Sequence, residues 1–182
     1  TEAERVRNLF CELGLASERL HLEGHSPSVA VHLDRYREVD VALDTFPYTG
    51  CTTTADALWM GVPVLTVAGR SMVSRQAAAV LAAAGQPSWI CDSTEALVQR
   101  CQELLAQPEE LAALRQGLRP AIAKSELLDH AGLAQALSEG FRQWWQRWVG
   151  QHYAPPSTSG ALPPWPVVRP PAPVALGCPY PR

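Results

Sequence analysis

The chain has 182 residues, 47% hydrophobic and 18% charged, with a formal net charge of −3. That is enough apolar material to bury a core without disulfide or metal staples, and the acidic balance lacks the basic footprint of a nucleic-acid binder. No apolar run reaches the ~18–20 residues of a membrane span and no basic-then-apolar leader opens the chain, so a cytoplasmic protein with no membrane partner is expected.

Residues 2–13 place Val6, Leu9, Phe10 and Leu13 at helical spacing, and Gly14 closes the pattern. Residues 19–24 alternate and end in glycine, which predicts a short strand. Ser26-Pro27 fits an N-cap with proline at the first helical position, opening a helix to Arg37. Residues 39–43 predict a strand that stops at Asp44. A helix follows over residues 52–59, ended by Gly61-Val62-Pro63, and then a strand over residues 64–67. The spacing predicts an alanine-rich helix over residues 74–84 stopped by Gly85, a strand over 88–91, and a helix capped by Ser93 that runs to Ala106. Pro108 opens another helix, and residues 128–148 carry a long final one. Its Leu137, Phe141, Trp144, Trp145 and Trp148 form an apolar stripe, which either covers the domain's own sheet or leaves a patch for a partner.

Strands alternating with helices of about ten residues predict an α/β fold, a Rossmann-like parallel sheet with helices on both faces. Four strands are expected within a domain spanning residues 1–153. Ligands of such sheets bind beyond the carboxyl ends of the strands, so the loops after Gly24, Leu43 and Val67 are the informative ones. Residues 154–182 hold ten of the sixteen prolines and are expected to be a disordered tail, passive or recruiting a partner. The five cysteines (11, 51, 91, 101, 178) form no CxxC and are expected to be buried thiols of a reducing cytosol rather than a disulfide or zinc framework.

The run Asp44-Thr45-Phe46-Pro47-Tyr48-Thr49-Gly50-Cys51-Thr52-Thr53-Thr54 leaves a predicted strand and enters a predicted helix. A helix start leaves backbone N–H groups unpaired, and the dipole adds roughly half a positive charge there. Hydroxyls of Thr52, Thr53 and Thr54 beside those donors, after a flexible Gly50, form a cradle for phosphate oxygens. The alternative is that Thr52 only caps the helix. No lysine follows Gly50, so this is no Walker loop, and the absence of GxGxxG argues against a nicotinamide cofactor. The histidines are scattered and no carboxylate pair stands at ligand spacing, so neither metal nor cofactor is expected.

Asp44-Thr45-Phe46-Pro47-Tyr48, Gly50, Thr52-Thr53-Thr54, Asp56-Ala57-Leu58-Trp59-Met60-Gly61-Val62-Pro63-Val64 and Ser74-Arg75 together resemble the carboxyl-terminal catalytic half of the O-GlcNAc transferase and SPINDLY family, in its bacterial form. The resemblance spans residues 2–150 and is most specific over residues 40–75. It implies the C-terminal half of a GT-B glycosyltransferase. The activity it implies is inverting, metal-independent transfer of GlcNAc from UDP-GlcNAc to Ser or Thr of acceptor proteins. Thr52 and Thr53 match paired threonines at the diphosphate, Asp56 an acidic residue at the ribose, His32 a histidine on the uracil and Arg35 an arginine near the base. His32 and Arg35, at i and i+3, share a helix face. Read without the resemblance, His32 is an ordinary exposed helix residue, and Arg35 with Arg37 is a solvated charged face. Asp44 is expected to bond loop amides rather than act in the chemistry.

This chain has Cys51 where animal members carry a histidine, and Val29 where they carry a lysine. Each change removes a polar or cationic contact to nucleotide. Family members also use a histidine near the reaction centre and a donor lysine that lie upstream of the matched region, together with tetratricopeptide repeats. The catalytic residues are therefore unknown here and expected in a missing N-terminal half, so that the chain is expected to be a fragment or a truncated reading frame. Two rival readings remain: a protein fucosyltransferase using GDP-fucose, since no residue selects uracil over guanine, and a binding module without turnover.

Overall fold

The computed structural model describes residues 1–152, and the Pro-rich tail expected over residues 154–182 lies outside the described residues. Three parallel strands form the sheet in the order β1 (Ala42–Leu43), β2 (Val64–Val67) and β3 (Ile90–Cys91). Ala42 pairs with Val64 and Leu43 with Leu65 on one side, and Thr66 pairs with Ile90 and Val67 with Cys91 on the other. The central strand β2 is buried along Val64, Leu65 and Thr66, as a strand covered on both faces must be.

Among the described residues the helices are, in chain order, α1 (Glu2–Glu12), α2 (Val29–Asp34), α3 (Thr52–Trp59), α4 (Gln76–Ala83), α5 (Thr94–Leu105), α6 (Pro108–Ile122) and α7 (His130–His152), and α3, α4 and α5 pack on the central strand. Local chemistry fixes their ends. Thr1 and Glu4 form a capping box on α1, and the Ser93 hydroxyl accepts from the Ala96 amide at 3.1 Å to open α5. Gly14, Gly61 and Gly85 take positive φ (87°, 78° and 74°) just beyond α1, α3 and α4, where other residues would be strained. The core gathers Leu58, Val62, Leu65, Leu81, Trp89 and Ile122, each no more than 2% exposed. Every such side chain removed from water stabilises the fold by about 1.5–3 kcal/mol.

Three expectations need correction. Residues 19–24 form no strand: a 3-10 turn at Ser17–Arg19 leads into irregular chain. Leu20 and Leu22 alternate in burial, but no ladder among the described residues receives their amides, and alternation without a neighbour does not make a strand. The helix expected from Ser26-Pro27 starts later, because Ser28 is the residue whose hydroxyl accepts from the Val31 amide. It then tightens at Asp34 into a 3-10 turn, Arg35–Glu38. Among the described residues the sheet accordingly has three strands rather than four, with β1 and β3 cut to two residues each. A 3-10 turn at Pro87–Trp89 takes up the start of the segment expected to be strand and turns Trp89 into the core.

The chain divides into two units, the first ending at Gln135 and the second beginning at Ala136. The first holds the sheet and its helices. In the second, the described residues continue α7 to His152 and carry the aromatic stripe, whose Leu137, Phe141, Trp144, Trp145 and Trp148 are exposed. Trp145 stacks on Trp148 with centroids 5.3 Å apart, and Phe141 meets Trp144 edge-on at 5.7 Å. No helix among the described residues is long and apolar enough to cross a membrane.

Candidate functional site

The carboxyl end of β1 opens on a cleft of about 560 Å³, lined in part by Asp44, Gly50, Cys51, Thr52, Thr53 and Gln76. Its floor is the entry to α3. Cys51 occupies the N-cap position without a side-chain hydrogen bond, so the first-turn amides of α3 are left for an outside acceptor. Thr52 and Thr53 are exposed on that turn. Gly50 lies flat beneath them: a Cβ there would stand 2.7 Å from the hydroxyl oxygens of both Thr53 and Thr54. The loop before Gly50 includes a cis Phe46-Pro47 bond. It is tied down by Asp44, whose carboxylate accepts from the Gly50 amide at 2.8 Å, and by Thr49, whose hydroxyl donates to the Val73 carbonyl at 2.8 Å.

The expected site residues fall into three groups. Gly50, Thr52 and Thr53 share the cleft, while Thr54, expected in the same cradle, is 3% exposed and turns inward. One turn along α3, Asp56 comes within 3.7 Å of His32, with the imidazole Nε2 facing the carboxylate Oδ2, so the residues expected at ribose and base do meet. Arg35 is held elsewhere, pairing with Glu23 at 2.9 Å and donating to the Gly24 carbonyl at 3.0 Å. The chain at Glu23-Gly24 is thus fastened to the turn that follows the His32 helix, although it is not a strand exit.

Two residues escaped the sequence reading. Tyr36 packs edge-on against His32 with centroids 5.5 Å apart, and its hydroxyl donates to the Thr53 carbonyl at 3.3 Å, joining the His32 helix to the threonine turn. Burial pushes its phenol pKa up, and the Asp56 carboxylate adds to the shift. The i, i+4 spacing of His32 and Tyr36 was the available signal. Gln76 reaches the cleft from the start of α4, and nothing in the sequence marks it.

Residues 1–137, three quarters of the chain, match the profile of glycosyl transferase family 41. The chain belongs to this family. Among curated glycosyl transferase family 41 relatives, a protein of Petunia hybrida named a probable UDP-N-acetylglucosamine–peptide N-acetylglucosaminyltransferase SPINDLY is 32% identical over 148 residues, covering 80% of this chain and 16% of its own length. A Caenorhabditis elegans UDP-N-acetylglucosamine–peptide N-acetylglucosaminyltransferase is 29% identical over 145 residues, covering 80% of this chain and 12% of its own. The O-GlcNAc transferase of Thermobaculum terrenum, solved as a K341M mutant, superposes with a TM-score of 0.72 at 34% identity. The match covers 79% of this chain and 28% of that one. The fold is therefore that of a Rossmann-like half of a GT-B glycosyltransferase. The chain spans about a sixth of the length of the first curated relatives it matches.

Proposed function

We propose that the chain is the donor-binding part of a protein O-GlcNAc transferase, gripping UDP-GlcNAc so that a Ser or Thr hydroxyl of an acceptor protein displaces UDP with inversion. The observation that carries this reading is the uncapped start of α3, open to a cleft and flanked by Thr52 and Thr53. Bond breaking leaves negative charge on the diphosphate. Fixed amides and hydroxyls oppose that charge without reorganising, an effect worth ~2.7–4 kcal/mol per donor in other enzymes. Donors supplied by the protein itself make a metal unnecessary in this scheme. Asp56 and His32, adjacent at 3.7 Å, are suited to ribose and base respectively. The general base and the remaining donor contacts belong to the rest of the transferase, as do the acceptor contacts and any tetratricopeptide repeats.

Calorimetric titration with UDP tests the reading. The Thr52→Ala, Thr53→Ala double variant is expected to lose UDP binding while keeping its circular dichroism spectrum, and unchanged affinity would refute the assignment. GDP, titrated in competition, is expected to displace UDP poorly. GDP outcompeting UDP would instead favour a GDP-fucose donor.

A further inference from the structure

Asp44 stands at the exit of β1 with both carboxylate oxygens engaged. Oδ1 accepts from the Gly50 amide at 2.8 Å and from the Thr45 amide at 3.0 Å, while Oδ2 accepts from the Thr66 hydroxyl at 2.7 Å. Thr66 is fully buried in the central strand, so this carboxylate ties the Gly50 loop to the interior of the sheet. A carboxylate is an unexpected neighbour for an anionic ligand, yet Asp44 lines the same cleft as Thr52 and Thr53. Three donors directed at it disperse its charge, which leaves geometry as its contribution. Gly50 in turn faces the first turn of α3: a Cβ built on it would stand 2.7 Å from the hydroxyl oxygens of Thr53 and Thr54 and 3.4 Å from Asp44 Oδ1.

We propose that Asp44 is a positioning residue: it braces Gly50 against buried Thr66 and so holds the amides and hydroxyls at the start of α3 in register with a diphosphate. The proposal rests on the sugar-nucleotide reading of the cleft. Donors held in place before the ligand arrives bind more tightly, because the ordering cost is not charged to binding.

Three variants separate geometry from charge. Asp44→Asn keeps an oxygen for the two amides and loses the charge, Asp44→Ala loses both, and Thr66→Val removes one donor while keeping its shape. Affinities for UDP and for uridine, which has no phosphate, are measured on each by calorimetry. Asp44→Ala is expected to lose about tenfold or more in UDP affinity, Thr66→Val about threefold, and Asp44→Asn less than about threefold, the range expected for charge-assisted hydrogen bonds. Uridine should bind all of them alike. Native UDP affinity in Asp44→Ala, or equal losses of UDP and uridine, overturns the proposal. Should Asp44→Ala fail to fold, Thr66→Val carries the comparison, and an undiminished UDP affinity there overturns it equally. If the native chain binds no UDP, the sugar-nucleotide reading fails by itself, and amide exchange in the free chain then decides on the brace. Faster exchange at Gly50 and residues 52–54 in Asp44→Ala, with native rates in Asp44→Asn, supports it; unchanged exchange in Asp44→Ala overturns it.

Discussion

Gly50 leaves no room for a side chain between its own backbone and two threonine hydroxyls, each 2.7 Å from where a Cβ would stand. Gly50→Ala must therefore displace those hydroxyls or the turn that carries them, at a cost of about 1–3 kcal/mol, the usual range for overpacking. Urea unfolding should register that loss, and calorimetry a weaker grip on UDP; a variant with native values for both would mean the turn yields freely. Tyr36 offers a pH signature. Its phenol pKa is raised by burial, so its contribution to stability is complete below the ordinary value of 10.0 and is lost as pH climbs through the folded-state value. The stability of the native chain relative to Tyr36→Phe should fall as pH rises past that range. Parallel pH curves for the two proteins would show that the phenol is not desolvated.

At the level of elements, the parts governed by neighbours in sequence were the readable ones. The bounds expected for α3 and β2 coincide with those observed, because Gly61-Val62-Pro63 separates them by backbone chemistry alone. Residues 19–24 misled because a strand is defined by its partner, and alternation cannot announce whether one is present. Thr52, Thr53 and Thr54 look equivalent as a string. A helix turns about 100° per residue, so a run of three cannot all face one cleft, and the third is the one that goes inward. The meeting of Asp56 with His32 joins two elements separated by the whole of β1; the family resemblance gave each a role at the nucleotide, but no sequence pattern announced their contact. Among the helix ends, the hydroxyl cap at Ser93 is the simplest to test. Ser93→Ala should lower stability by about 1 kcal/mol in chemical denaturation, and no change would mean water replaces the cap without loss.

For the molecule as a whole, ligand binding and stability are linked. A nucleotide that binds only the folded state raises stability by about 2.7 kcal/mol at one hundred times its dissociation constant. UDP should therefore raise the melting temperature of the native chain and leave that of the Thr52→Ala, Thr53→Ala variant unmoved; an equal shift in both would locate the nucleotide elsewhere. Turnover is a separate matter, since the chain covers only 28% of the solved transferase it matches.

Of the residues lining the cleft, Gly50, Cys51, Thr52, Thr53 and Gln76 lie on a loop or an opening helical turn, whereas Leu58, Leu65, Leu81 and Trp89 are sealed in the core. Ligand preference and foldability are thereby written in different parts of the polypeptide. On the proposed reading, substitutions at Cys51 or Gln76 would reshape the cleft while leaving the core untouched, so that the bound donor could change while the scaffold persists.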